Sequence, residues 1–278
     1  MTQTIANALR DATERLSATS DTARLDAELL MAHALGVSRS DLLLRHMRDA
    51  EPEGFAALVE RRAGHEPVAY ITGEQEFYGH SFRVTPAVLI PRGDSEVLVE
   101  AALETGITQG RVLDMGTGSG ALLLTVLLEG PELTGVGIDA SKGAVEIARQ
   151  NAQALGCGSR SDIRHASWAD AGWSEQLGQF DLILCNPPYV EDDAQLDPDV
   201  HEHEPASALF SGPEGLDDYR ILIPQLPELL TESGIAILEI GHQQAAAVTA
   251  IAEAAGFAVM VRQDLGGRDR ALILQKAH

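Results

Sequence analysis

Asn186-Pro187-Pro188-Tyr189 directly follows the apolar run FDLILC. Two consecutive prolines fix the backbone and leave carbonyl groups with no amide donor beside them. Asn186 adds a side-chain acceptor. Together these groups can hold both hydrogens of a planar NH2 group while Tyr189 packs near its face. That points to chemistry on an amide or aromatic amine nitrogen, and the plain alternative is a rigid turn that ends a strand. A second run, Asp114-Met115-Gly116-Thr117-Gly118-Ser119-Gly120, follows an apolar strand and opens a helix. Its closely spaced glycines let a ligand touch the backbone with no side chain in the way. The G-x-G-x-G spacing differs from the G-x-G-x-x-G that favours pyrophosphate cofactors. Taken alone, the run is also explained by a tight strand-to-helix turn. Asp139 ends the next apolar run, 25 residues beyond Asp114, near the roughly 20-residue offset of an acid that grips ribose hydroxyls. Its alternative is a helix N-cap. All three features fall on one edge of the expected sheet, in the right order, which favours a ligand site over unrelated turns.

The elements that must position these residues follow from periodicity. Ile5, Leu9, Ala12 and Leu16 share a helical face. Asp21 is placed to cap a second helix, in which Leu25, Leu29 and Leu30 recur before Gly36. Ser38 to Asp41 opens a short helix through Leu42 to Leu44, and Phe55, Leu58, Val59 and Arg62 mark another amphipathic stretch. Residues 1–74 therefore read as a small all-helical domain. Residues 75–90 read as a β-hairpin linker around Gly79. In residues 91–278 the strands RVLDMG, LTGVGID, SDIRHAS, FDLILCNP and GIAILEIG alternate with helical stretches. The end, FAVMVRQDLGGRDRALILQK, reads as two strands joined by a glycine-rich turn. The expected fold is α/β, a doubly wound, mostly parallel seven-stranded sheet with an antiparallel edge hairpin.

Composition narrows the partners. The formal net charge is −22, of which residues 1–74 carry −4 and the rest −18. Nucleic-acid binding needs cations that displace phosphate counterions, so this field opposes direct contact with DNA or RNA. It suits a cationic small molecule or a basic protein partner. Arg45, Arg48, Arg61 and Arg62 are expected to make the helical surface less acidic. No apolar run reaches the roughly 20 residues of a membrane helix. The amphipathic N-terminus, with its early acids, reads as neither signal nor transit peptide. Two cysteines, Cys157 and Cys185, suit reduced thiols in the cytoplasm. His201-Glu202-His203-Glu204 has metal-like spacing, but its acidic surroundings make a metal site the weaker reading, and no metal is expected.

The ordered set of glycine loop, Asp139 and Asn-Pro-Pro-Tyr resembles the class I S-adenosylmethionine methyltransferases that act on adenine amines or glutamine amides. Further segments are similar to the PrmC/HemK family of peptide chain release factor glutamine methyltransferases. They are Glu76 to Gly79, Ile90 to Glu96, Glu204-Pro205, Gly215 to Asp217, Leu238 to Gly241 and Asp264 to Arg268. The likeness spans nearly the whole chain. Gly93 stands where the family usually has proline and Ser95 where it has threonine. The resemblance implies S-adenosyl-L-methionine as cofactor, bound by Gly116, Thr117, Gly118, Ser119, Gly120, Asp139 and Asn186. Trp168 matches a position beside the adenine; without the resemblance it reads as a core aromatic. Asn186, Pro187, Pro188 and Tyr189 match the substrate clamp, with Asn186, Pro187 and Tyr189 in catalytic roles. The implied partners are peptide chain release factors, and the expected form is a cytoplasmic monomer. The rival readings are the same chemistry on a ribosomal protein glutamine or on adenine in DNA, and a cofactor-binding module without turnover. The acidic charge disfavours DNA, and the intact Asn-Pro-Pro-Tyr disfavours the binding module.

Overall fold

A computed structural model describes residues 3–277; Met1 and Thr2 of the amphipathic N-terminal stretch, and His278, lie outside the described residues. The chain forms two compact units. One holds the residues up to Glu74 together with Leu196–Glu204, and the other holds Gln75–Gln195 and Pro205–His278.

The first unit is helical, with helices at Ile5–Leu16, Ala23–Leu35, Phe55–Ala63, Val68–Thr72 and Pro198–His203. Ile5, Leu9, Ala12 and Leu16 are buried in its core, as their spacing predicts. Ser38 caps the short helix after Gly36, its hydroxyl accepting from the Asp41 amide at 3.0 Å. The second helix is turned differently from expectation. Ala23, Ala27, Leu30 and Met31 are buried, whereas Leu25 and Leu29 are 40% and 36% exposed. The cause is a buried charge on the inward stripe. Asp26 accepts from Arg62 Nε at 2.6 Å, from the Ser20 hydroxyl at 2.8 Å and from the Thr22 hydroxyl at 2.9 Å. Leu25 and Leu29 fall on the side of the helix away from that stripe. Thr22, not Asp21, stands at the N-cap position.

Two other expectations change. Arg62 is buried and ion-paired with Asp26 and with Asp199, so it adds nothing to a basic surface. Leu196–Glu204, expected in the second domain, packs with the helical unit because Arg62 and His65 both hold Asp199 and the His203 ring bonds the Gly64 carbonyl.

The second unit is built on a seven-stranded sheet. Its strands are β3 (Gln109–Met115), β4 (Glu132–Asp139), β5 (Ser161–His165), β6 (Phe180–Cys185), β7 (Leu230–Glu239), β8 (Phe257–Gln263) and β9 (Asp269–Lys276). Their order is β5-β4-β3-β6-β7-β9-β8. β3 to β7 are parallel, and β9 runs antiparallel to both β7 and β8. The central strands β3, β6 and β7 are apolar toward their carboxyl ends because both faces are covered there, whereas the edge strands β5 and β8 are largely exposed. Successive side chains feed opposite cores: Val112, Leu182, Leu184 and Ile237 enter one, and Leu113, Ile183, Cys185 and Leu238 the other. The first core is closed by helices Glu96–Glu104, Ala121–Glu129 and Lys142–Ala154, the second by Asp217–Leu222 and Ala245–Ala254. Glu96–Glu104 had no counterpart in the sequence reading.

The hairpin β1 (Glu74–Phe77) and β2 (His80–Arg83) turns at Tyr78 and Gly79, both at positive φ. It is more than a linker. Phe77 and Phe82 meet edge to face at 6.2 Å and are fully buried in the first core.

Candidate active site

Chain order reverses between β3 and β6, so the carboxyl ends of β3, β4 and β6 open onto one crevice. A cavity of about 400 Å³ lies there, within the size range of small-molecule sites. Its lining joins Gly116, Thr117, Gly118, Ser119, Asp139, Trp168, Asn186 and Pro188. Gly120, Pro187 and Tyr189 do not line it. Arg92 is the one cation of the lining, against Asp139 and Asp218. That balance suits a ligand carrying both signs of charge.

The glycine loop is fixed by short-range bonds. The amides of Gly116 and Thr117 both reach the Ile138 carbonyl at 2.9 Å. The Gly118 amide donates to Asp139 Oδ2 at 2.9 Å, and the Ser141 amide to Asp139 Oδ1 at 2.8 Å. Asp139 thus ties the loop of β3 to the end of β4, while Ser141 caps the next helix. Each carboxylate oxygen keeps acceptor capacity for a ligand hydroxyl. Gly116, Gly118 and Gly120 all have positive φ. A Cβ at Gly116 would stand 3.3 Å from the Trp168 ring, so a bare glycine lets the indole close on the loop. A Cβ at Gly120 would strike Leu124, so that glycine serves the turn and the helix packing.

Below the loop, Asp114 is buried and accepts from the Thr117 hydroxyl at 2.7 Å. Burial pushes its carboxyl up to about 7. Burial also raises Asp139, against the pull of the Ser141 and Gly118 amides.

Several positioning residues were missed by sequence reasoning. Asn151 is buried and bonds the Ser119 carbonyl at 2.8 Å and both backbone groups of Arg83, joining the loop to the hairpin. Asp218 accepts from the Trp168 indole at 3.0 Å and from the Ser211 hydroxyl at 2.8 Å. Gln225 holds the Trp168 carbonyl at 3.1 Å. The hairpin side contributes Phe77 and Ala87 to Leu89, and Pro205 lines the cavity just after the excursion into the helical unit. No local pattern marks Asn151 or Gln225; the double acid of Gly215-Leu216-Asp217-Asp218 was the visible signal for Asp218.

The clamp is held from further away. The Tyr189 and Val190 amides donate to the Leu209 carbonyl at 3.1 and 2.8 Å. Gln244 donates to the Tyr189 carbonyl at 3.0 Å, and the Tyr189 hydroxyl to Glu239 Oε1 at 3.2 Å. A Cβ at Gly215 would collide with the Tyr189 carbonyl, which is why glycine stands there. Asn186 lines the cavity, and its carboxamide has no partner among the described residues. Buried Cys185 has its thiol pushed far up by desolvation and by nearby acids, so it is no nucleophile. His201 and His203 lie in the helical unit, and no group of three metal-ligating side chains occurs among the described residues.

Residues 7–73 match the family described as the PrmC N-terminal domain, and residues 93–204 the methyltransferase small domain. The release factor glutamine methyltransferase of Rhodospirillum rubrum is 40% identical over 91% of this chain and 79% of its own. That of Cereibacter sphaeroides is 43% identical over 95% of this chain and 96% of its own. Among solved structures, the ribosomal protein L11 methylase from Lactobacillus delbrueckii subsp. bulgaricus matches with a TM-score of 0.51 and 22% identity. It covers 73% of this chain and 90% of that one, a likeness of fold. With identity at this level across nearly its full length, the chain belongs to the release factor glutamine methyltransferase family.

Proposed function

We propose that this enzyme transfers a methyl group from S-adenosyl-L-methionine to the side-chain amide nitrogen of a glutamine in a peptide chain release factor. The observation that carries the reading is the uncommitted Asn186 carboxamide, lining the same cavity as the glycine loop, Asp139 and Trp168. Bound there, the cofactor supplies a sulfonium-activated methyl group. Gly116 to Ser119 would present backbone to it, Asp139 would accept from its ribose hydroxyls, and Trp168 would lie beside its adenine. Its amino-acid end carries both signs of charge, which fits a lining of Arg92 with two acids.

An amide nitrogen is a poor nucleophile because its lone pair is delocalised into the carbonyl. Asn186 Oδ1 and the backbone carbonyl of Pro188, the two clamp residues that line the cavity, accept both N–H bonds of the target amide. Acceptors there raise electron density on nitrogen and fix its direction of attack. Alignment of this kind can supply roughly 7–11 kcal/mol. As nitrogen gains its new bond its proton becomes acidic, so Asn186 needs no strong base beside it.

The clamp reads an amide and nothing beyond it, so selection of one protein's glutamine needs other surface. We assign this docking to the helical unit of residues 1–74. Leu44 is 81% exposed, and Leu25, Leu29 and Leu43 are exposed with it. Among the described residues no helix is long and apolar enough to cross a membrane. We place the reaction in the cytoplasm, by a monomer that makes no direct contact with nucleic acid. The −18 net charge of residues 75–278 supports that last point.

Labelled cofactor, intact release factor and duplex DNA decide the reading. The expected result is one added methyl on one loop glutamine of the factor by mass spectrometry, abolished when that glutamine becomes asparagine. Efficient labelling of DNA in place of the factor would overturn it. Leu44→Asp should raise KM for the intact factor and leave cofactor affinity unchanged; an unchanged KM removes Leu44 from the docking surface.

A further inference from the structure

Glu239 ends β7 beneath the clamp and is 1% exposed. A charge so deep in an apolar sheet costs several kcal/mol unless other groups compensate it. A leucine would fill the space without that cost, so the carboxylate calls for a reason. Its Oε1 accepts the Tyr189 hydroxyl at 3.2 Å. Its backbone carbonyl accepts the Tyr219 hydroxyl at 2.7 Å. Arg270, also buried, supplies the opposing charge and is itself paired with Asp94 at 3.1 Å and Asp264 at 3.6 Å. Glu239 does not line the cavity. Its link to the clamp runs through Tyr189.

We propose that Glu239 is a positioning residue for methyl transfer, holding the Tyr189 hydroxyl so that the ring and the Asn186–Pro188 backbone keep one geometry. The proposal rests on the glutamine reading above. It has a chemical corollary. A hydroxyl that donates to Glu239 has no proton left for the substrate's carbonyl oxygen. A donor on that oxygen would favour the resonance form that empties the nitrogen lone pair. Glu239 thus keeps Tyr189 in place and keeps its proton away from the amide. The arrangement also gives one structural task to segments far apart in the chain: Asp94 and Ser95, Tyr189, Glu239, and Arg270 after the Asp264 turn.

Charge at Glu239 is set by its surroundings. Burial raises its carboxyl to about 6, and Asp94 adds to the rise. The Ser95 hydroxyl, Arg270 and Tyr189 oppose it. Arg92 acts on Tyr189, whose phenol is pushed up mainly by burial and next by Glu239. The carboxylate is therefore present at neutral pH and lost as pH falls through about 6.

The experiment compares Glu239→Gln, Tyr189→Phe and the double variant in the full-length protein. It reads kcat and KM on intact release factor, cofactor affinity, and the Tyr189 ring-carbon NMR resonance against pH. Each single change should lower kcat roughly 10- to 100-fold, the scale of one charge-assisted hydrogen bond, with cofactor affinity unchanged. The double variant should be no worse than Tyr189→Phe alone. Wild-type kcat should fall below about pH 6, and Tyr189→Phe should lack that limb. The Tyr189 resonance should titrate near the same pH in wild type and be flat in Glu239→Gln. Wild-type kcat in Glu239→Gln, additive losses, or an acid limb that survives in Tyr189→Phe each overturn the proposal. If Glu239→Gln does not fold, the Tyr189→Phe profile and the wild-type resonance still decide it. A wild-type protein that leaves the factor unmethylated overturns the glutamine reading instead, and the resonance alone then tests the Glu239–Tyr189 link.

Discussion

The two halves of the cavity are wired differently. The proposed cofactor half is mainly local: the glycine loop, Ile138, Asp139 and Ser141 are joined by bonds that span few residues or neighbouring strand ends. The clamp half is distant. Asn186 to Tyr189 depend on Leu209, Gly215, Glu239 and Gln244, all beyond the excursion of the chain into the helical unit. A loop that binds a cofactor in every turnover gains from a rigid, self-contained scaffold. A clamp that must accept a protein side chain is held by the rest of the domain, so distant changes can alter it while cofactor binding stays intact.

Mutation should separate the halves, most sharply at Asn186. Asn186→Ala removes a cavity acceptor that supports no other element. It should abolish transfer while leaving cofactor affinity within a few-fold, read by a turnover assay beside calorimetry. Full activity in this variant would sink the acceptor mechanism. The reverse pattern is expected for Asp139→Ala. Loss of its hydroxyl acceptors should weaken cofactor binding by about 1.5–3 kcal/mol. Because Asp139 also receives the Gly118 and Ser141 amides, the loop should loosen as well. Slowed amide exchange at Gly118 on adding cofactor should therefore be weaker in the variant; equal protection in both would remove the scaffold role.

The same contrast explains what could be read in advance. The parallel sheet, its terminal hairpin and the three site motifs were legible because each depends on period-2 burial or on residue types a few positions apart. Gly116, Asp139 and Asn186 announce themselves by backbone conformation and strand-end position. The rest was hidden because its partners are remote. Nothing near Asp26 says that Arg62 and Asp199 will bury its charge and turn Leu25 and Leu29 outward. Nothing near Asn151 says that it will meet both Ser119 and Arg83. Tyr189 was expected at the substrate's face, whereas its hydroxyl is committed to Glu239 outside the cavity lining.

The helical unit extends the comparison, since its buried Arg62–Asp26 charge pair is long-range like the clamp. Arg62→Ala would leave Asp26 buried and unpaired, and breaking such a pair costs about 3–5 kcal/mol. Thermal unfolding should show the helical unit melting early while cofactor still protects the second unit. A single unchanged transition would show that Asp26 finds solvent or another partner.

The smallest effect is expected at a place where the cofactor half leans on a distant residue. Trp168 is aimed by Asp218, fifty positions away, through the indole N–H. Asp218→Asn keeps one acceptor oxygen for the Trp168 indole, removes the charge, and puts an NH2 donor where Oδ2 accepted the Ser211 hydroxyl. A neutral acceptor is worth less to an N–H donor than a charged one, by about 1 kcal/mol. Cofactor affinity should therefore fall by roughly fivefold, with kcat at saturating cofactor unchanged, because the clamp does not depend on this bond. A larger loss, or one that appears in kcat, would mean that the Ser211–Asp218 pair also braces the Leu209 to Ser211 segment on which the Tyr189 and Val190 amides rest. Trp168→Phe separates the two outcomes, since it removes the indole N–H and leaves Asp218 with Ser211. If Trp168→Phe reproduces the affinity loss and the double variant adds nothing, Asp218 acts through the indole alone and the two halves are independent here.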